Sequence, residues 1–373
     1  MKEQFKSKIM NKVFDNTGDC QDYYMIDNGY KVWVLPQKHM KEGFNVYQVS
    51  NWRGFSVKNV FPLVARSRFA RKVFKAQVYS SGLSRELQEI IGLYDEAPYQ
   101  ISMYFGNLDA KQNYKATLQI YHPQGKSWYL KLSDERIVQD AFENEIENLA
   151  YLKEQNLFDI PQKTSLETRG EWSYLILDSV PYGKTKYSFT EQHWDNLQKI
   201  YEKTKVKIDY EESDFKKCID YLKEQFSRNP YWEKKEEFQK IVLDTEQWMR
   251  DHLEHYSFAH GDYTPWNIYW DAQGVRLFDF EYSMKQTIPF LDYFHFICQS
   301  DIIRHHMDWK RTLKLYEKER GRLMKYSENP DKLFIGYLLY IIAFYLKRKD
   351  GEVPSKNGQL KYRLKLVEEL WRR

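Results

Sequence analysis

The chain has 373 residues, of which 42% are hydrophobic and 17% aromatic, enough to build the cores of two or three domains. Lysine and arginine number 57 against 53 aspartates and glutamates, and the net charge of +4 gives no reason to expect a nucleic-acid partner. Three widely spaced cysteines argue against a disulfide framework or a zinc site and favour a reduced, intracellular chain.

Two segments of the sequence are candidates for a signal peptide or a membrane span, and neither has the expected pattern. Residues 1–14 alternate charged residues with single apolar ones and lack the apolar core of a signal peptide. The longest apolar run, Leu333 to Leu346, is too short to cross a bilayer comfortably, so we expect a buried helix there. These features predict a cytoplasmic protein.

Residues 1–95 combine a predicted hairpin with a strongly basic segment. Asn28-Gly29 predicts a turn between β-prone runs at 22–26 and 31–35. The segment from Gly43 to Arg85 contains no aspartate or glutamate, and a helix with a basic face is predicted over Ala65–Lys75. Its basic residues include Arg53, Lys58, Arg66, Arg68, Arg71, Lys72, Lys75 and Arg85. Two interpretations stay open for residues 53–85: an anionic partner (a membrane surface, a lipid-linked phosphate or a polyanionic glycan) or an ordinary solvated face.

The next predicted elements place a lysine beside a buried glutamate. Strands are expected at 114–121 and 127–132, followed by a helix that ends near Gln155. Glu145 falls on the apolar stripe of that helix, where an unpaired carboxylate would cost several kcal/mol. Lys131, near the end of the preceding strand, is the natural partner. The alternatives are an exposed strand lysine and a glutamate that reaches water from the edge of the core.

A third strand at 172–177 precedes a domain boundary, which we place near residues 181–188. Helices are expected at about 190–204, 212–228 and 231–255. The second of them begins with an acidic stretch, Glu211 to Asp214, which would either attract a cationic ligand or form a solvated helix start.

The most informative stretch is His260-Gly261-Asp262, with Asn267 five residues after the aspartate. β-prone runs at 268–270 and 275–278 predict a hairpin, and Asp279 follows its second strand. The hairpin would bring Asn267 and Asp279 together, and both offer the hard oxygen ligands that Mg²⁺ prefers. Asp262 would orient a hydroxyl and take its proton during phosphoryl transfer. The alternative is a polar loop with solvated carboxylates.

This pattern, completed by Asp279-Phe280-Glu281, resembles the aminoglycoside phosphotransferase and choline kinase-like family. The resemblance implies an α+β, two-lobed protein kinase-like fold, with a small antiparallel β-sheet lobe and a mainly helical large lobe. We assign residues 96–181 to the small nucleotide-binding lobe and residues 182–373 to the large lobe with the catalytic loop and acceptor site. Residues 1–95 would then be an extra N-terminal basic accessory region.

The resemblance also implies Mg²⁺- and ATP-dependent phosphorylation of a small-molecule hydroxyl. Asp262 would be the catalytic residue, Asn267 and Asp279 would bind the metal, and Glu281 would touch a second metal or metal-bound water. His260 would anchor the loop.

Three further roles follow from the same resemblance. Lys131 would grip the ATP phosphates and Glu145 would hold it in place. Asp292, in Pro289-Phe290-Leu291-Asp292-Tyr293, would brace the catalytic loop.

The expected phosphate-covering loop, residues 104–113, has a single glycine, Gly106, so GTP is not excluded as an alternative to ATP. The acceptor is predicted to be a sugar or amino alcohol, because the loop and basic leader together look like bacterial kinase-like proteins of surface-polysaccharide gene clusters. A catalytically inactive kinase-like scaffold is the alternative. A protein kinase is disfavoured by Gly261, where such enzymes have arginine, and by Asp-Phe-Glu in place of Asp-Phe-Gly.

Overall fold

The computed structural model describes residues 2–15, 20–46, 52–96, 98–106, 114–122, 125, 127–180, 184–228, 235–272, 274–348 and 357–373. The chain divides into two compact units. The first consists of Met1–Glu147 and Pro161–Val180, and the second consists of Asn148–Ile160 and Pro181–Arg373.

The first unit is organised around one sheet. Its strands are β1 Phe14–Asp15, β2 Gln21–Asp27, β3 Val32–Pro36, β4 Ala76–Leu83, β5 Gln100–Phe105, β6 Ala116–Tyr121, β7 Ser127–Ser133, β8 Thr164–Arg169 and β9 Trp172–Asp178. They lie in the order β1-β4-β2-β3-β5-β6-β7-β9-β8, and every neighbouring pair is antiparallel.

Helices cover both faces of this sheet. They are α1 Lys2–Val13, α2 Met40–Gly43, α3 Trp52–Asn59, α4 Phe61–Val64, α5 Arg68–Phe74 and α6 Arg85–Gly92, followed by α7 Arg136–Glu154. Successive side chains of a strand point to opposite faces, and in β3 Val34 joins a core with α1 and α6 while Trp33 joins a second core with α2 and α4. Because both faces of β3 are buried, all five of its residues are apolar or proline.

Residues 1–95 are therefore not a separate layer. The hairpin predicted around Asn28-Gly29 is present as β2 and β3, and the strands β1 to β4 continue the sheet that β5 to β9 form. The strands predicted at 114–121 and 127–132 and the helix that follows them are β6, β7 and α7. The edge strand β8 was not predicted, because Thr164–Arg169 is polar and never fully buried, so it lacks an alternating apolar pattern.

The second unit is mainly helical. Its helices are α8 Glu191–Thr204, α9 Asp214–Arg228, α10 Lys235–His252, α11 Leu291–Arg304, α12 Trp309–Leu323, α13 Pro330–Arg348 and α14 Gly358–Trp371. Its strands are β10 Ser257–Ala259, β11 Ile268–Asp271, β12 Gly274–Leu277 and β13 Met284–Thr287, which pair as β10 with β13 and β11 with β12.

The apolar run Leu333 to Leu346 lies in α13, where most of its side chains are buried among the surrounding helices. Among the described residues, none of the helices is both long and apolar enough to cross a membrane. The chain is thus α+β, as the sequence predicted, with an antiparallel sheet in one unit and helices dominating the other.

Candidate active site

A sharp turn at Gly261 shapes the loop that follows β10. Gly261 has a φ of +78°, and a β-carbon placed there would lie 2.1 Å from the carbonyl oxygen of Tyr282. Positive φ is open to glycine at little cost, and the contact leaves no room for a side chain. A residue such as the arginine of protein kinases could not occupy this position without moving the backbone at Tyr282.

His260 fixes the same turn through both ring nitrogens. Its Nε2 lies 3.0 Å from the carbonyl oxygen of Phe278, which can only accept, so Nε2 carries the proton. Nδ1 then accepts the backbone N–H of Asp262 at 3.3 Å. The imidazole is fully buried, and it joins the loop to the end of the hairpin.

Asp292, in the first turn of α11, holds the loop from the other side. Its two carboxylate oxygens accept the backbone N–H groups of His260 at 2.7 Å and Gly261 at 3.0 Å. Burial raises the pKa of Asp292, and the neighbouring His260 and the two backbone N–H groups oppose that rise. The carboxylate therefore binds two consecutive amide groups of the turn.

The Asp262 carboxylate is held at both oxygens. Its Oδ1 lies 3.1 Å from Nε2 of His295, and its Oδ2 accepts Nδ2 of Asn267 at 2.8 Å. An ionised carboxylate only accepts, so His295 donates, and its Nδ1 faces the Tyr337 hydroxyl at 3.5 Å. The Asp262 side chain keeps 29% of its surface exposed, so it is oriented and still reachable by a ligand.

His295 is the residue of this site that sequence reasoning missed. It lies on α11 three residues after Asp292, so the two side chains share one face of the helix. A polar pair at that spacing in the mostly apolar first half of the helix was a usable signal. Nothing in the local sequence, however, shows that Asp262 lies against that face.

The predicted hairpin brings the other two oxygen-bearing residues together. β11 and β12 pair from Ile268 with Leu277 to Asp271 with Gly274, and the backbone N–H of Phe278 donates to the carbonyl oxygen of Asn267 at 3.3 Å. Asp279 is the next residue, and it adopts a left-handed conformation with a φ of +69°. Such a conformation costs a residue with a side chain about 1–2 kcal/mol, although aspartate tolerates it better than most.

The donor set at this hairpin end suits Mg²⁺. Nδ2 of Asn267 donates to Asp262, which leaves its Oδ1 to act as a ligand, and Asp279 supplies a carboxylate. Within the part of the chain that is described, no group of three or more His, Cys, Asp or Glu side chains could hold a metal by itself. Mg²⁺ commonly takes only one or two carboxylates and fills its remaining positions with water and phosphate oxygens. Glu281, two residues further on, is buried.

The predicted ion pair of the first unit is present. Lys131 Nζ donates to Glu145 Oε2 at 2.6 Å, and both side chains are buried, with 6% of Lys131 and none of Glu145 exposed. Lys131 lies on β7 and Glu145 on α7, the two consecutive elements that the sequence indicated. Glu143 and Glu147 of the same helix are exposed, in agreement with the predicted stripe.

Several sequence expectations lie outside the described residues. These are residues 107–113 of the expected phosphate-covering loop, residues 181–183 of the expected domain boundary and the side chain of Arg53. The acidic stretch before α9 is described and is engaged in ion pairs, Glu211 with Arg250 and Lys216, and Asp214 with Lys217 at 2.8 Å. That pairing favours the solvated helix start over a cation-attracting surface.

Family models match two adjacent parts of the chain. The phosphotransferase enzyme family matches residues 208–288, which include Asp262, Asn267, Asp279 and Glu281. The fructosamine kinase family matches residues 106–207, which include Lys131 and Glu145. No curated protein matches the chain in a sequence search.

Solved structures give a likeness of fold. Choline kinase LicA from Streptococcus pneumoniae is 14% identical, with 78% of this chain and 99% of that chain covered and a TM-score of 0.51. An aminoglycoside phosphotransferase from Alicyclobacillus acidocaldarius is 16% identical, with coverage of 69% and 89% and a TM-score of 0.39. The likeness to choline kinase LicA shows that this chain shares its protein kinase-like fold and shows nothing further. The likeness to the aminoglycoside phosphotransferase is too distant to support an argument.

Proposed function

We propose that this chain is a small-molecule kinase of the aminoglycoside phosphotransferase and choline kinase-like family, and that it phosphorylates a hydroxyl of a sugar or amino alcohol with Mg²⁺ and ATP. The matches to the phosphotransferase enzyme and fructosamine kinase family models support this proposal. The observation that carries the proposal is the Asp262 carboxylate, which is oriented at both oxygens and remains partly exposed. GTP is not excluded as the donor.

Asp262 would accept the proton of the acceptor hydroxyl as the phosphoryl group is transferred. His295 and Asn267 each occupy one lone pair of its oxygens, so a second lone pair on each oxygen remains for the hydroxyl. His260 and Asp292 act as positioning residues, because they hold the backbone of the turn rather than the carboxylate itself.

Asn267 and Asp279 would hold Mg²⁺ through one amide and one carboxylate oxygen, and Glu281 would bind a second ion or metal-bound water. When bound, Mg²⁺ neutralises charge that develops on the phosphate oxygens during transfer. In the first unit Lys131 would bind nucleotide phosphates, with Glu145 fixing the direction of its ammonium group.

A role in surface-polysaccharide metabolism and a cytoplasmic location complete the proposal. The division into residues 96–181 for the nucleotide and 182–373 for the acceptor also belongs to it. Residues 1–95 would be a basic accessory region, in which residues 53–85 would contact an anionic partner. A catalytically inactive scaffold is the competing function, and it would keep the loop geometry without turnover.

The experiment follows the conversion of ATP to ADP by the full chain with Mg²⁺ and a panel of sugars, choline analogues, aminoglycosides and protein substrates. We expect acceptor-dependent ADP formation with at least one small hydroxyl compound, and a rise in thermal stability with ATP and Mg²⁺. Stabilisation by nucleotide without turnover on any acceptor would favour the scaffold. No stabilisation at millimolar nucleotide would contradict the proposal in both forms.

A further inference from the structure

Helices α3, α4 and α5 pack part of their surface against the sheet, and within the described part of the chain other apolar side chains of α4 and α5 are exposed. Phe61 and Ala65 pack in the core that contains Trp33. Leu63 is exposed by 84%, Phe69 by 77% and Val73 by 61%. A helix that merely covers a sheet should be polar on its outer side. We call this exposed side of α4 and α5 the outer face.

The outer face is bordered by unbalanced positive charge. The side chains of Arg66, Arg68, Lys72 and Lys75 are exposed, and within the described residues no carboxylate pairs with them. The local sequence offers these cations no partner, since residues 43–85 contain no aspartate or glutamate. Arg71 differs from the predicted basic face, because its guanidinium donates to the carbonyl oxygens of Ala65 and Arg66 and so fastens α5 to the turn before it.

The spacing of residues on α5 places its apolar and its basic side chains on adjoining sides of the helix. Phe69 and Val73 are four residues apart and share one side of the helix, and Arg68 and Lys72 repeat the same spacing on the adjoining side. A cation beside an exposed aromatic residue on a helical surface is the arrangement by which interfacial helices enter a layer of anionic headgroups. Basic residues near such a surface are attracted to its anionic lipids.

We infer that the outer face docks on an anionic membrane surface, with Leu63, Phe69 and Val73 entering the headgroup layer and the flanking cations binding lipid phosphates. The apolar side chains decide between a bilayer and a soluble polyanion. A glycan or a free phosphate would need only the cations, and it would leave Leu63 and Phe69 in water. This docking is independent of phosphoryl transfer and would bring the acceptor chemistry to a membrane-bound substrate.

The test is flotation of the full chain with phosphatidylcholine vesicles that contain phosphatidylglycerol, and with vesicles of phosphatidylcholine alone. We expect binding to the anionic vesicles only, weakened by added salt because the exposed cations are screened. The double variant Leu63→Ser with Phe69→Ser should lower the partition coefficient about tenfold or more, since two exposed apolar groups no longer enter the lipid. Arg68→Gln with Lys72→Gln should lower it by a similar factor.

Matched controls remove comparable side chains elsewhere. Leu93→Ser deletes an apolar side chain that is 61% exposed on the same unit, and Lys203→Gln deletes an exposed cation on α8. Neither should change the partition coefficient. Because all the substituted side chains are exposed, thermal unfolding should be unaltered, and turnover with a soluble acceptor serves as a second check that the variants are folded.

Two results would overturn the inference. Either the wild-type chain fails to bind anionic vesicles, or it binds them and the double variant Leu63→Ser with Phe69→Ser binds equally well. A variant that loses vesicle binding and keeps full turnover tests this inference alone. A chain that binds vesicles without turnover would contradict the proposed kinase activity and leave this inference standing.

Discussion

Glu145 in the first unit and Asp262 in the second are both carboxylates that need partners, and they obtain them from different kinds of structure. Glu145 is bonded by Lys131, which lies 14 residues earlier on the adjoining strand, so regular secondary structure supplies the contact. Asp262 is bonded by Asn267 five residues later and by His295 on a helix 33 residues later. A pair between consecutive elements can be deduced from spacing, whereas a loop is held by residues that only the tertiary structure brings near.

The largest expected effect tests the loop. Asp262→Asn should lower kcat about 10³-fold, because a general base of this kind contributes roughly 10²–10⁴ to the rate. Nucleotide affinity should be unchanged, because the residue is proposed to act on the acceptor. Steady-state kinetics gives kcat, and a nucleotide titration gives the affinity for nucleotide.

The control for that substitution is Asp251→Asn, which alters an exposed carboxylate of α10 that accepts a hydrogen bond from Gln247. Its kcat should match wild type. If Asp262→Asn unfolded the chain or abolished nucleotide binding, Asp262 would be a structural residue like Glu145, and the contrast between the two units would disappear.

Lys131→Met tests the first unit. The substitution removes the ammonium group that bonds the buried Glu145 carboxylate, and it should lower the free energy of unfolding by about 3–5 kcal/mol. Urea denaturation measures the loss. Glu143→Gln, on the exposed side of the same helix, should change it by less than about 0.5 kcal/mol.

The double variant Lys131→Met with Glu145→Leu sharpens the result. Replacing both charges with apolar groups removes the buried carboxylate as well, so much of the lost stability should return. A double variant as unstable as the single one would mean that the pair is not the source of the loss.

Gly261→Ala should cost about 3 kcal/mol of stability, because it combines a positive φ with a β-carbon 2.1 Å from the Tyr282 carbonyl oxygen. Gly29→Ala is the matched control, since it has a φ of +85° but nothing within 4 Å of the added carbon. We expect only about 1 kcal/mol there. If the two variants lost the same free energy of unfolding, measured by heat or urea, the contact with the Tyr282 carbonyl oxygen would carry no energetic cost.

His295→Phe should give a smaller effect, about tenfold in kcat with little change in KM, because it removes one of two donors that orient Asp262. His295→Gln retains an N–H donor and should recover part of the rate. Steady-state kinetics distinguishes this from a merely structural role, in which both variants would lose stability and neither would recover activity.

Sequence patterns predicted the elements that carry the site. The β2–β3 hairpin, the strands β6 and β7, the helix α7 and the β11–β12 hairpin were all indicated by alternation, apolar periodicity or turn residues. The Lys131–Glu145 contact followed from the same rules, since an acidic residue on an apolar stripe requires a partner nearby.

The remaining features depend on contacts between distant segments. That residues 1–95 extend the sheet could not be known, because strand order depends on which edge a segment reaches rather than on its own composition. The steric demand at Gly261 comes from Tyr282, and the second donor to Asp262 comes from α11. In each case one partner has a recognisable pattern and the other has none.

The left-handed backbone at Asp279 carries a consequence for any attempt to make the protein more heat-resistant. A glycine there would relieve about 1 kcal/mol and should raise the melting temperature slightly. The same exchange would delete a carboxylate on which the proposed magnesium site depends. Selection for thermal stability alone would therefore favour a more stable chain that no longer turns over substrate. A melting curve and an activity assay on Asp279→Gly would show both effects.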